Sequence, residues 1–204
     1  MSNSVKVFAS TDSGAPVLSG AAGALIAVLD ACLQNGYGEV TIDSLVVASD
    51  VATVTDSTGH GFTMLGAVGP VVRISGATPA GLNGDWRISV TSATQFTFTT
   101  SGITDQTASG TIVVKRAPAG FTKEFSGTNL AAYRSDDVTG TRLYLRVDDT
   151  GTTTATTIMY EVMTDMDTGT GLAPTSGSVY VGKSATANST ARPWRLVADG
   201  KLFY

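Results

Sequence analysis

The stretch Asp85–Thr100, DWRISVTSATQFTFTT, decides how the rest of the chain is read. Trp86, Ile88 and Val90 alternate with Arg87, Ser89 and Thr91, and Phe96 and Phe98 alternate with Thr97 and Thr99. A period of two gives each strand one apolar and one polar face, and predicts a hairpin turning at Ser92–Thr94. Aromatic residues alternating inside strands read as core. Any contact with a partner is then expected from the opposite face, at Arg87, Ser89 and Thr91.

Outward from this hairpin the texture persists. Val68–Ser75, Trp86–Thr91, Gln95–Thr100 and Gly110–Lys115 are strand candidates at hairpin spacing, separated by Gly-, Pro- and Asn-rich turns. They predict a small all-β module over 60–116, bordered by the Thr58–Gly61 turn and the RAPAG segment at Arg116–Gly120. Val5–Ala9, Val40–Val47 and Val51–Thr55 read as strands before it. Arg142–Val147, Thr156–Thr164, Val179–Lys183, Trp194–Ala198 and Lys201–Tyr204 read as strands after it, with Asp165–Thr175 as a long loop.

Asp199–Gly200 between two apolar runs predicts a type I′ hairpin. A single helix is expected over about 19–35: Ser19 offers an N-cap, Ala22, Leu25, Ile26, Leu29 and Leu33 follow at helical spacing, and Asn35–Gly36 supplies a stop. The fold class is therefore mainly β with a minor α component (α+β). A β-sandwich or sheet domain, 1–59 and 117–204, carries the helix and anchors the molecule, and the module at 60–116 is inserted into it.

Composition narrows the function. Only 15% of the 204 residues are charged, against a typical value of about 25%. Monomers usually cover their exterior with mixed charge, so sparse charge points to a surface that faces other subunits. A net charge of −4, with basic residues scattered along the chain, argues against binding to nucleic-acid phosphates. Leu18–Leu33 is too short and too rich in alanine and glycine to span a bilayer, and Met1–Lys6 leads directly into a strand rather than a secretion signal. The expectation is synthesis and folding in a cytoplasm with no membrane partner. The chain stops on Phe203–Tyr204 inside a strand pattern, which makes these two residues further interface candidates, to be covered by another subunit or by a continuation of the natural product.

Catalytic material is sparse. His60 is the single histidine and lies between Gly59 and Gly61, a setting expected to be an exposed turn rather than part of a nucleophilic triad. The single cysteine, Cys32, sits in the apolar helical segment and reads as a buried structural thiol. Zinc lacks the ligands it requires. Acidic pairs at Asp136–Asp137 and Asp148–Asp149 read as turns rather than as a glycosidase couple. The run DMDTG (Asp165–Gly169) has the alternating oxygen ligands and glycine that open a calcium loop, but neither the third acidic position nor the closing Glu. Asp165 and Asp167 are thus the calcium candidates, and a solvated turn is the competing reading. Gly36–Gly38 and Gly169–Gly171 lack phosphate-loop spacing. No catalytic residue, cofactor or further metal site is expected.

The segments SVKVFASTDSGAPVLSGAAGALIAVLDACLQNGYG (Ser4–Gly38), MYEVMTDMDTGTG (Met159–Gly171) and ARPWRLVADGKLFY (Ala191–Tyr204) resemble blocks of uncharacterised structural proteins of tailed bacteriophages. The stretch RISGATPAGLNGDWRISVTSATQFTFTT (Arg73–Thr100) is similar to small β-modules of phage tail and baseplate proteins. The resemblance implies a non-enzymatic virion component, assembled in the host cytoplasm at the capsid, head–tail junction or tail. Its partners would be other virion proteins and further copies of itself. The competing expectation is a tail-tip or baseplate protein that binds host glycan through exposed Thr, Ser and aromatic loops. A cell-wall hydrolase is disfavoured by the lack of acid–base candidates.

Overall fold

The computed structural model describes residues 5–204. In chain order its elements are β1 (Lys6–Ala9), α1 (Ala24–Leu29) running into a π-helical stretch at Asp30–Asn35, β2 (Tyr37–Thr41), β3 (Ser44–Ala48) and β4 (Val51–Thr55). Then come β5 (Val71–Ser75), a 3₁₀ turn at Ala80–Leu82, β6 (Gly84–Arg87), β7 (Ser89–Val90), β8 (Gln95–Thr99), β9 (Gln106–Thr107) and β10 (Val113–Arg116). The series closes with β11 (Phe121–Gly127), β12 (Leu130–Ser135), β13 (Tyr144–Asp148), β14 (Thr154–Met163), β15 (Gly169–Ala173), β16 (Val179–Gly182) and β17 (Arg195–Ala198). The chain is mainly β, as its alternation predicts. It divides into two compact units.

The first unit comprises Gly36–Ala117, Asp12–Gly14 and the described residues Val5 and Lys6. It is built from two antiparallel sheets, in the orders β2-β10-β5-β6 and β7-β8-β4-β3-β9. Val72, Ile74 and Val114 from the first sheet and Leu45, Val54 and Phe96 from the second meet in one core, each no more than 1% exposed. That is a β-sandwich: the period-two residues of both inner faces are removed from water together.

The expected module boundary at 60 moves to Gly36. β2 pairs with β10 (Val40 opposite Val114) and β4 with β8 (Val54 opposite Phe96), so 37–55 supplies strands to both sheets. Antiparallel partners this far apart in the chain leave no mark in local spacing. Asp12 closes the neck where the unit begins and ends. Its Oδ2 accepts from the Tyr37 hydroxyl (2.7 Å) and its Oδ1 from the Arg116 guanidinium (2.6 Å), and Tyr37 and Arg116 are themselves register partners.

The strands of Asp85–Thr100 divide between the two sheets. β7 and β8 form the expected hairpin, with Val90 opposite Phe96, but β6 pairs with β5 in the other sheet, with Trp86 opposite Val72. The chain changes sheets at Ile88, which is 1% exposed and donates its amide to the Pro70 carbonyl at 3.0 Å. Gly69 leaves room for that crossing, because a Cβ there would lie 1.6 Å from the Ile88 carbonyl oxygen. The indole of Trp86 packs on Phe98 across the core at 4.7 Å between centroids.

Turn chemistry differs from expectation as well. The hairpin turn with both central residues at positive φ, the type I′ signature, joins β3 to β4 through Ser49 (φ 52°) and Asp50 (φ 61°). The Asp105 carboxylate accepts the Ser49 amide (2.8 Å) and the Asp50 carbonyl accepts the Thr100 amide (2.8 Å), which holds non-glycine residues there. At the expected site, the Asp199 amide reaches Leu202 O at 2.9 Å, which puts Gly200–Lys201 at the tip. Asp199 Oδ1 accepts the Lys201 and Leu202 amides.

A partly buried acid makes the stability of this unit depend on pH. Asp85 accepts from Lys6 Nζ (2.8 Å) and Arg73 Nε (2.7 Å). Burial pushes its carboxyl up, but the hydrogen bonds and charges of both cations outweigh burial and hold it below the usual carboxylate range. A carboxyl depressed on folding adds stability above its unfolded pKa of about 4, and that stability is lost as pH falls through the lower folded value. Denaturant midpoints should therefore fall below about pH 4, and Asp85→Asn should flatten that part of the profile.

The second unit comprises Val7–Thr11, Ala15–Asn35 and Pro118–Tyr204. Its main sheet runs β11-β12-β13-β14-β15, with β16 also on β14. β14 is shared along one edge: Met159–Met163 pairs with β15, and Thr154–Thr157 pairs with β16. β15 lies inside the expected loop Asp165–Thr175, because GTGLA carries too little apolar alternation to signal a strand and is held by the ladder of β14. β11 and β12 are unsignalled too; a bulge between Lys123 and Phe125 breaks the period of two. β1 pairs with β17.

The helix starts later than the sequence suggests. Gly23, at φ 79°, takes the N-cap position with no side-chain cap, and Ser19 lies ahead of the helix. The Leu25 and Ile26 amides instead donate to Asp149 Oδ2, at 2.7 and 3.1 Å. Cys32 and Leu33 are fully buried on the inner face, so the thiol is a packed side chain as its position predicts.

One turn recurs as D-x-T-G. Asp56, Asp137 and Asp148 each accept the backbone amide and the hydroxyl of the Thr two residues on, with hydroxyl distances of 2.7 Å in all three. The aspartate closes its own turn and spares the backbone an unpaired donor.

Candidate interaction surfaces

His60 shows how little exposed chemistry the first unit holds. It is 2% exposed rather than on an open turn. Gly59 (φ 96°) and Gly61 (φ 67°) let the backbone turn the ring inward, against Phe62 (5.4 Å) and Phe96 (5.2 Å). Nδ1 accepts the Phe62 amide (3.0 Å), which leaves Nε2 as the donor to the Ser92 carbonyl (3.0 Å). Both nitrogens are engaged, and the imidazole is part of the core.

The acids resolve in a similar way. Asp167 Oδ1 accepts from the Arg146 guanidinium at 2.9 Å. The Asp167 amide, followed by Thr168, holds the Asp165 carboxyl below its ordinary range. Asp165 thus bonds within its own turn, and Asp167 pairs with a cation. Among the described residues no three His, Cys, Asp or Glu side chains group as metal ligands.

Of the expected contact residues, Arg87 is exposed but spends its guanidinium on the Gly69 and Val5 carbonyls, at 2.7 Å each. Ser89 and Thr91 are exposed, and the Thr91 hydroxyl bonds the Gln95 carbonyl at 2.9 Å. Because the chain changes sheets at Ile88, these three residues do not form one face. Phe203 packs edge-on against Phe121 at 5.7 Å. Tyr204 exchanges backbone hydrogen bonds with Val197 and leaves its side chain 82% exposed.

Two features of the second unit were not signalled. The first is a groove of about 380 Å³, with Leu145 and Met159 on the sheet and Leu202 and Phe203 on the C-terminal hairpin. Arg142 and Lys201 line it, and no acidic side chain does among the described residues. Arg142 sits at φ 53°, held by its Nε bond to the Ser135 carbonyl (3.2 Å) and by its own carbonyl accepting from Arg134 (3.1 Å). The Ser135 hydroxyl donates to Gly200 O and accepts the Asp137 amide.

The second feature is the β15–β16 edge. Residues 169–182, GTGLAPTSGSVYVG, contain no charged side chain. Leu172 is 40% exposed, Val179 54% and Tyr180 73%. Among the described residues both strands pair on one side only, with β14. Sheet edges are ordinarily blunted by lysine, proline or bulges; here Pro174 falls in the connection, outside either strand.

The electrostatic centre of this unit lies away from both features. Lys183 Nζ contacts Asp149 Oδ1, with both side chains 0% exposed, and also donates to the Ala21 carbonyl at 2.7 Å. Nearby, burial and the hydrogen bond to Asp30 push the Tyr133 hydroxyl far above its ordinary range. In the sequence, Asp149 looks like half of a turn pair and Lys183 like a strand end, so nothing local announces their meeting.

No family model matches this chain, and neither a curated protein nor a solved structure matches it. Among the described residues no helix is long and apolar enough to cross a membrane.

Proposed function

We propose that this protein is a non-enzymatic structural component of a tailed-phage virion, present in multiple copies and joining subunits at the capsid, head–tail junction or tail. The observation that carries this reading is the uncharged, apolar β15–β16 edge. An unpaired edge offers backbone donors and acceptors to an incoming strand. Residues 169–182 add exposed apolar side chains and no charge to repel a partner. The sparse charge of the whole chain and its resemblance to phage structural proteins support the same reading.

Val179→Lys combined with Leu172→Lys places cations on that edge at exposed positions. The expected result is loss of incorporation into particles, by mass spectrometry of purified virions, with the circular dichroism spectrum and melting temperature unchanged. Undiminished incorporation of this variant, or particles lacking the chain altogether, would overturn the proposal.

A second reading, host-glycan binding, draws on the exposed rings of Tyr180 and Tyr204, since Trp86, Phe96 and Phe98 belong to the sandwich core. It requires that Tyr180→Ala abolish glycan retention while leaving incorporation intact.

A further inference from the structure

We propose that Lys183 and Asp149 are joined by an isopeptide bond, formed by condensation of the lysine ammonium with the aspartate carboxylate inside the second unit. Both side chains are 0% exposed and Nζ lies directly against Oδ1. As an ion pair the site is poorly matched to its surroundings. Removing each ion from water costs several kcal/mol, and the three donors of the ammonium find two acceptors among the described residues, Asp149 Oδ1 and Ala21 O.

The amide product fits the same surroundings without a loose end. One proton passes first from the ammonium to Oδ1, which frees the Nζ lone pair; its attack on Asp149 Cγ forms the C–N bond and places the developing negative charge on Oδ2. Oδ2 already accepts the Leu25 amide at 2.7 Å and the Ile26 amide at 3.1 Å, an arrangement that stabilises such charge. Oδ1, on the lysine side, takes a second proton from Nζ and leaves as water; ammonium plus carboxylate gives amide plus water, with no other reactant. Afterwards Oδ2 is the amide carbonyl and keeps both backbone donors. The one remaining Nζ–H keeps the Ala21 carbonyl, 2.7 Å away. Charge is gone, every polar atom is bonded, and the turn after β13 is covalently tied to the end of β16.

This inference is independent of any place in a particle. Intact-mass measurement of the purified full chain should read one water below the mass of its sequence. Proteolysis should yield a branched peptide joining the fragments that contain Asp149 and Lys183. Lys183→Arg keeps a cation that cannot condense, and should restore the full mass with separate peptides. A wild-type chain at its full mass overturns the proposal. So does a water deficit that persists in Lys183→Arg, which marks dehydration elsewhere. Should that variant fail to fold, the wild-type peptides decide alone: a branched species supports the bond, and two linear fragments overturn it.

Discussion

Asp149→Ala is expected to destabilise the second unit by about 3–5 kcal/mol, because it strands a buried cation without its partner. The substitution also removes the acceptor of the Leu25 and Ile26 amides, so the helix loses its cap in the same step. Lys183→Met should cost less. It leaves the Asp149 carboxylate with two backbone donors, whereas removing Asp149 leaves the Lys183 ammonium only Ala21 O. Urea unfolding of the two variants should rank them in that order. The reverse order, or a loss under about 1 kcal/mol for Asp149→Ala, the scale of an exposed ion pair, would mean that this contact does not organise the unit.

Phe96→Ala should be of similar size in the first unit, about 3–5 kcal/mol, the cost of a large ring removed from a close-packed core. The ring is 0% exposed and meets Phe62 at 5.8 Å and His60 at 5.2 Å. The imidazole fills this space and bonds Phe62 N and Ser92 O. Thr99→Ala, on the outward side of the same strand, should stay within about 0.5 kcal/mol. Thermal denaturation of both variants separates the inner from the outer face of β8. Equal losses would contradict the period-two reading.

That reading was legible where alternation is strong. Phe96, Phe98 and Ile88 declare the inner face of the sandwich in the sequence, and Ile26, Leu29 and Leu33 declare the helix. It was not legible where long-range pairing makes the structure. β2, β3 and β4 carry the same pattern whether they pair locally or with β10 and β8, so the module boundary could not be placed from spacing. Ile88 continues the alternation of its neighbours without a break, and so hides the change of sheet. β15 is strand-like only because β14 lies beside it. The inward place of His60 is not legible because two flanking glycines mark a sharp turn equally well whether the side chain points out or in. The lack of charge at 169–182 is visible in the sequence, but its glycines and Pro174 mask the strands there. The contact of Lys183 with Asp149 left no local trace: it is made by strand ends that only the finished sheet brings together.

The neck held by Asp12 bears on how such a chain changes over time. The stretch Gly36–Ala117 departs through β2 and returns through β10, adjacent antiparallel strands whose facing Cα atoms stand about 5 Å apart. To the remainder of the polypeptide the whole excursion spans no more than a tight turn would. Residues within it can be lengthened, shortened or traded for another sandwich without altering the distance the host must bridge. Asp12, Tyr37 and Arg116 at the neck, with Asp85 and Arg87 where they meet Lys6 and Val5, are what a replacement would need to carry or to match.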